Sequence, residues 1–348
     1  MSARERKRSA GEHRGGARSV RIEDVAHLAG VSAITVSRVL RTPGIVAEET
    51  RRRVEDAVER LGYVPNLAAG TLASRRSRLI ALVVPTLRSS VYATTVQGLS
   101  DELKGAGYHL MVGYAGYSAA DETEVMRALV GRQPDGMVLT GVEHTPELRH
   151  LLRERRLPTV EIWDLTDDPI DIAVGFDNEA AGAAVAEHLA GLGVRRPAVL
   201  TTHPDREHRA RKRLSGFRAR CKALGLAPPI DGFLEDGMST VEAEAGFKRL
   251  VARAPDLDGL FCVNDTLAIS ALMEARRHGI DVPGRLRIVG FGDFDLAAHT
   301  APRLTTVRVP GYEIGRRAAR RMLDRIEGRD DGPRVEDLGF DLAIREST

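Results

Sequence analysis

A chain of 348 residues has room for two or three domains, and 43% hydrophobic against 29% charged residues, with 34 Gly and 16 Pro, describes ordinary soluble α/β protein. No apolar run approaches the roughly 20 residues of a membrane span, the basic start "MSARERKRSAGEHRGGARS" lacks the apolar segment of a secretory signal, and Cys221 and Cys262 make no disulfide framework. A cytoplasmic protein with reduced core thiols is expected, and the net charge of +2 hides an asymmetry: residues 1–78 hold 16 Lys/Arg and 9 Asp/Glu, the rest 35 and 40. A basic head on an acidic body suggests a polyanionic partner, although Arg4, Arg6, Lys7 and Arg8 in a solvated tail supply much of the excess.

In chain order, residues 1–19 read as a disordered basic tail and 20–64 as a small all-α head. Within "DVAHLAGVSAITVSRVL" (24–40), Val25 and Ala29 share one side of a first helix, and Val36, Val39 and Leu40 form an apolar stripe on a second. Ser32 is suited to cap the second helix, and Gly30 to reverse the chain before it. Two helices joined by a Gly-containing turn are a helix-turn-helix. The second helix keeps a short, polar outer face, with Ser32, Ala33, Ile34, Thr35, Ser37 and Arg38 as candidate DNA contacts, because its start enters the major groove in this motif. The alternative is a helical hairpin buried in a core. A third helix, "EETRRRVEDAVERLG", repeats Thr50, Val54, Ala57, Val58 and Leu61 at helical spacing. Its Arg51, Arg52 and Arg53 either touch phosphate or are solvated.

Residues 65–77 read as a hinge: "NLAAGTLAS" can form one short helix capped by Asn66, too short to be stable alone in water. From residue 78, short apolar runs alternate with helical stretches. "LIALVV" (79–84), "HLMVGY" (109–114), "GMVLT" (136–140), "TVEIW" (159–163) and "IAVGF" (172–176) read as buried parallel strands. A second series comprises "PAVLT" (197–201), "GLFCV" (259–263) and "LRIVGF" (286–291), and "LTTVRV" (304–309), a helix over 311–327 and "GFDLAI" (339–344) cross back between lobes. Two doubly wound parallel-sheet lobes are expected, about 78–176 plus 307–329 and about 177–304 plus 332–348, with a ligand crevice at the carboxyl ends of the strands. The loops there, "PTLRSSVY" (85–92), "GVEHT" (141–145), "WDLTDD" (163–168), "FDN" (176–178), "HPDREHRARKR" (203–213), "VND" (263–265) and "FGDFD" (291–295), are rich in groups that suit a polyhydroxylated ligand. Glu161, in a buried strand, points either to that cleft or to a structural partner.

No G-x-G-x-x-G follows the first strand, and no P-loop or G-x-S-x-G is present, so neither catalytic residues nor a cofactor are expected. His203 and His208 with Asp205 and Glu207 are a weak metal signal in a cationic stretch, and no metal site is expected.

"IEDVAHLAGVSAITVSRVLR", "TRRRVEDAVERLGYVPN" and "AAGTLAS", followed by "GFDNEAAG", "GLFCVNDTLAISA", "RIVGFGDFDLA" and the terminal "LAIREST", resemble the lac-repressor/purine-repressor family over about residues 20–348. "VEHTP", "EIWD" and "IDIAVGFDN" are most similar to the gluconate-utilisation repressors. The resemblance implies a periplasmic-binding-protein-like core, a homodimer with higher assembly left open, and a near-palindromic double-stranded operator. It also implies control by a small-molecule effector: a sugar acid such as gluconate in the gluconate subgroup, a neutral sugar or a purine elsewhere in the family. Leu72 falls where the family drives a leucine into the minor groove, and Tyr92, Asp164, Arg213, Asn264 and Gly292 fall on effector contacts. Gly292 departs from the Asp common there, which removes an anion and favours a negatively charged ligand, but equally fits a looser pocket. Release on effector binding is implied by the gluconate subgroup, the reverse by purine-type relatives.

Overall fold

A computed structural model describes residues 20–41, 43–64, 76–87, 91–203, 205–234 and 239–348. Asn66 and Leu72 lie outside the described residues. The chain divides into two compact units, Met1–Arg75 and Arg76–Thr348.

The head contains α1 (Ile22–Ala29), α2 (Ala33–Arg41) and α3 (Glu48–Leu61). Val25, Ala26, Ala29, Val36, Val39, Val54 and Ala57 are buried together, the stripes expected from the spacing. Small residues at 26 and 29 let the helices approach closely. Gly30 ends α1 at φ 63°, and its backbone N–H bonds back to α1 carbonyls, closing that helix as a left-handed cap does.

In the second unit, β1 (Leu79–Val84) shows why parallel strands read as unbroken apolar runs. Ile80, Leu82 and Val84 enter one core, Ala81 and Val83 another across the sheet, so both faces are covered. The first sheet continues with β2 (His109–Tyr114), β3 (Gly136–Thr140), β4 (Thr159–Ile162) and β5 (Ile172–Gly175). The helices between these strands are α4 (Val91–Gly105), α5 (Ala119–Val130) and α6 (Pro146–Glu154). The second lobe begins with α7 (Asn178–Gly191), β6 (Pro197–Thr202), α8 (His208–Ala223), β7 (Ile230–Leu234) and α9 (Thr240–Arg253). It continues through β8 (Gly259–Cys262), α10 (Asp265–Arg277), β9 (Arg287–Phe291) and β10 (Thr305–Arg308). The chain closes with α11 (Gly311–Ile326), β11 (Val335–Asp337) and β12 (Asp341–Ala343). The sheet orders are β11-β5-β4-β3-β1-β2 and β12-β10-β9-β8-β6-β7, parallel throughout except that β12 runs against β10.

Two crossings differ from the expected boundaries. β10 pairs with β9, so residues 307 and 308 stay in the carboxyl-terminal lobe and the chain crosses only before α11. β11 pairs with β5 and so belongs to the amino-terminal lobe, although 332–348 was expected wholly in the other. Three residues of extended chain there cover what would otherwise be the open edge of β5. An aromatic row, Tyr92–Trp163–Phe176–Phe291, with ring centroids 5.3 to 6.0 Å apart, joins the cores of the two lobes.

Helix α8 sits unusually close to α7. A Cβ on Gly216 would fall 1.9 Å from the Glu179 carbonyl oxygen, and one on Gly182 equally close to that of Arg213. Only glycine at both positions allows this contact.

Candidate nucleic-acid interface and interlobe cleft

In the head, the Ser32 hydroxyl accepts from the Thr35 backbone N–H at 3.2 Å, the helix cap read from the sequence. Ile34 is 72% exposed at the start of α2, Arg38 is exposed one turn on, and Ala33, Thr35 and Ser37 are partly covered, while Val36 and Val39 are buried. An exposed isoleucine at the tip of a short capped helix does not fit a hairpin packed into a core. An exposed apolar side chain of this kind is able to meet a thymine methyl group, and an arginine a guanine or phosphate. The three arginines left open all have partners within the head. Arg53 donates to the carbonyls of Ala29 and Gly30 and so fastens the turn, whereas Arg51 and Arg52 pair with Glu48 on the surface of α3.

The cleft lies between the lobes, as a cavity of about 610 Å³, within the ordinary range for small-molecule sites. Its amino-terminal wall comes from the carboxyl ends of β1, β2 and β3, including Tyr117, Glu122, Glu143, His144 and Arg149, and its other wall from residues 205–209 and Arg211. Of the seven loops expected to line it, 141–145 and 203–213 do so and 85–92 contributes Pro85, whereas 163–168, 176–178, 263–265 and 291–295 are not on the lining. The loop after β2, Ala115–Ser118, also lines it and was not singled out, although the strand-end rule applies to β2 as well.

None of the six residues expected at the effector is on that lining; Tyr92, Glu161, Asp164 and Arg213 each lie against a residue that is, forming a layer behind it. The Asp164 carboxylate accepts from His208 at 2.8 Å, Lys212 at 2.9 Å and Asn178 at 3.1 Å, so one carboxylate after β4 ties the amino-terminal lobe to α8. Trp163, at φ 74°, turns the chain there, and its indole N–H donates to Thr95 at 3.1 Å. Burial alone would push the Asp164 carboxyl up, but the hydrogen bonds from His208 and Lys212 hold it below the usual range. Arg213 Nη1 donates to Asn178 at 2.7 Å, Nη2 lies 3.4 Å from Glu207, and the guanidinium stacks 4.1 Å over Phe291. Tyr92 packs edge-on to Trp163 with the Arg209 guanidinium 5.7 Å from its ring centroid.

Glu161 faces a structural partner. Its carboxylate accepts from the Ile170 N–H at 2.6 Å and lies 3.4 Å from His144, whose other ring nitrogen meets Glu122 at 2.9 Å. His144 Nε2 lies 3.2 Å from the Gly141 carbonyl; burial works against charge on His144, but its hydrogen bond to Glu122 and the nearby Glu161 carboxylate raise its pKa to about 9. Asn264 caps α10, accepting from Leu267 N–H at 3.0 Å. Gly292 has φ 124°, and a Cβ there would lie 2.4 Å from the Phe294 ring; backbone geometry therefore accounts for the missing Asp. The neighbouring Asp293 is held at 2.6 Å by both Arg308 and Arg345.

The inner layer carries an imbalance that sequence reasoning missed. Arg209 and Arg213 are both buried and share one buried carboxylate, Glu207, with Arg209 Nε 3.0 Å from it. Arg209 Nη1 is buried with no hydrogen-bond partner among the described residues, and Arg209 lines the cavity. Burial raises the cost of the Glu207 charge, and the two guanidiniums outweigh it, so Glu207 is held below the usual carboxylate range. Burial pushes Arg213 down, against the pull of Glu207 and with the push of Arg209's charge.

Residues 21–66 match the model for bacterial regulatory proteins of the lacI family, and residues 186–348 that for a periplasmic binding protein-like domain. The HTH-type transcriptional regulator GntR of Pseudomonas aeruginosa is 38% identical over 94% of this chain and 95% of its own length. The chain belongs to the lacI family of bacterial regulatory proteins. The Escherichia coli regulator GntR is 33% identical over 92% of this chain and 96% of its own. A LacI-family regulator of solved structure from Silicibacter pomeroyi, 32% identical, aligns with a TM-score of 0.88 over 94% of this chain and 99% of that chain. This lacI-family member is therefore a DNA-binding transcriptional regulator with a small-molecule cleft, not an enzyme. Among the described residues no helix is long and apolar enough to cross a membrane.

Proposed function

We propose that the chain is a cytoplasmic, effector-released repressor: a homodimer that grips a near-palindromic operator with two heads and lets go when a sugar acid, gluconate first among them, enters the interlobe cleft. The observation that carries the choice of effector is the buried charge behind the cavity. Two guanidiniums face one carboxylate, and Asp164 is already matched by Lys212 and His208. A buried cation without a counterion is costly, and an anionic ligand supplies one. The relatives named GntR and the likeness to gluconate-utilisation repressors support the same reading. Two-fold symmetry of a dimer accounts for a palindromic site, and two buried, unpaired cysteines suit a reducing compartment.

In this reading Asn66 caps a hinge helix that orders on DNA and Leu72 wedges into the minor groove. Ligand closing the lobes biases that hinge with a coupling of about 1 to 3 kcal/mol, roughly 5- to 150-fold in operator affinity. Calorimetry with a panel of sugar acids, aldoses, pentoses and purines tests the effector. Gluconate or a close sugar acid is expected to bind, and Arg213→Met to weaken it. Tight binding of a neutral pentose or a purine with no sugar acid bound would contradict the assignment.

A further inference from the structure

We infer that Arg209, rather than Arg213, makes the direct contact with the effector's anionic group and sets the preference for an acid over a neutral polyol. The inference rests on the sugar-acid reading above and goes beyond it in naming the residue that reads the charge.

The two arginines stand one helical turn apart on α8, and their surroundings divide their tasks. Both terminal nitrogens of Arg213 are directed to the protein, one on Asn178 at 2.7 Å and the other toward Glu207 at 3.4 Å, with its plane against Phe291 at 4.1 Å and its Nε buried without a hydrogen-bond partner among the described residues. It does not line the cavity. Arg209 does, and gives Glu207 only its Nε among the contacts with that carboxylate, at 3.0 Å. That bond fixes the guanidinium plane from behind, and the Tyr92 ring lies beside it at 5.7 Å. Its Nη1, buried and without a hydrogen-bond partner among the described residues, is the donor left over once Glu207 is satisfied. A guanidinium held by its Nε keeps a terminal nitrogen for a carboxylate or phosphate oxygen. Arg213 then acts as a positioning residue, holding Glu207 and Asn178 so that Arg209 stays aimed.

The test is calorimetry and thermal shift on the full-length protein, with gluconate, its neutral counterpart glucitol and inorganic phosphate as probes. Wild type, Arg209→Gln, Arg209→Lys and Arg213→Gln are compared. Loss of one charge-assisted contact predicts a gluconate affinity about 10- to 100-fold weaker in Arg209→Gln. Its ratio of gluconate to glucitol binding should collapse toward one, and Arg209→Lys should recover part of that ratio. Arg213→Gln should weaken both ligands together and keep the ratio. If Arg209→Gln binds gluconate like wild type, the inference is overturned while the sugar-acid reading stands. If wild type ignores every sugar acid but is stabilised by phosphate, and Arg209→Gln is not, the effector reading fails and the role of Arg209 stands. Wild type that responds to no anion at all contradicts both.

Discussion

Replacing His144 by Gln should remove a pH-dependent part of the core's stability. The His144 side chain is 1% exposed, sits between Glu122 at 2.9 Å and Glu161 at 3.4 Å, and has its pKa raised from 6.5 to about 9. A folded-state pKa above the unfolded one means that the native protein binds the proton more tightly. The stabilisation is therefore fully present below about pH 6.5 and is lost as pH rises through about 9. At 1.36 kcal/mol per tenfold in proton affinity, it is worth about 3 kcal/mol. Urea unfolding can be followed through Trp163, the chain's only tryptophan, which is buried in the core unit and so reports on that unit. The stability difference between wild type and His144→Gln should shrink by about 3 kcal/mol between pH 6 and pH 9.5. A difference that stays constant over that interval would show that His144 is not held as a cation between the two glutamates.

Arg38→Ala should abolish discrimination of operator from random duplex in gel-shift titrations, with the Trp163 melting transition unchanged. Leu72→Ala should cost several kcal/mol on the operator, the order of unstacking a base step, and leave non-specific affinity and its salt slope nearly unchanged, since the residue carries no charge; paired salt titrations check this. Gly216→Ala, whose Cβ would meet a carbonyl oxygen at 1.9 Å, should destabilise the core by about 1 to 3 kcal/mol or more. Because α8 carries Arg209 and Arg213, the same substitution should weaken effector binding, measured by calorimetry on the folded fraction.

What the sequence made legible was mostly local. Gly30 and Ser32 act through their own backbone and the next turn, so the turn and cap could be read directly. The runs of β1, β3 and β8 stand out because both sheet faces are buried. β7, "IDGFL", was missed: Asp231 and Gly232 interrupt its apolar run, as an edge strand permits. β11 is three residues long and held by pairing with β5, which no local pattern announces. Glu161 and His144 come from different elements, so their pairing was hidden, and Gly292 reads as a lost ligand until its backbone conformation is known. The i, i+4 spacing of Arg209 and Arg213 was a usable signal within the cationic run "DREHRARKR". Which of the two reaches the cavity depends on Asn178, Glu207 and Phe291, and only the folded lobe brings these together.

Fluorescence anisotropy of the full-length protein on an operator selected from a random duplex pool, titrated with gluconate at fixed salt, tests the central claim most directly. The account predicts a near-palindromic selected site whose affinity falls roughly 5- to 150-fold at saturating gluconate. An operator affinity that gluconate leaves unchanged, or tightens, would contradict it.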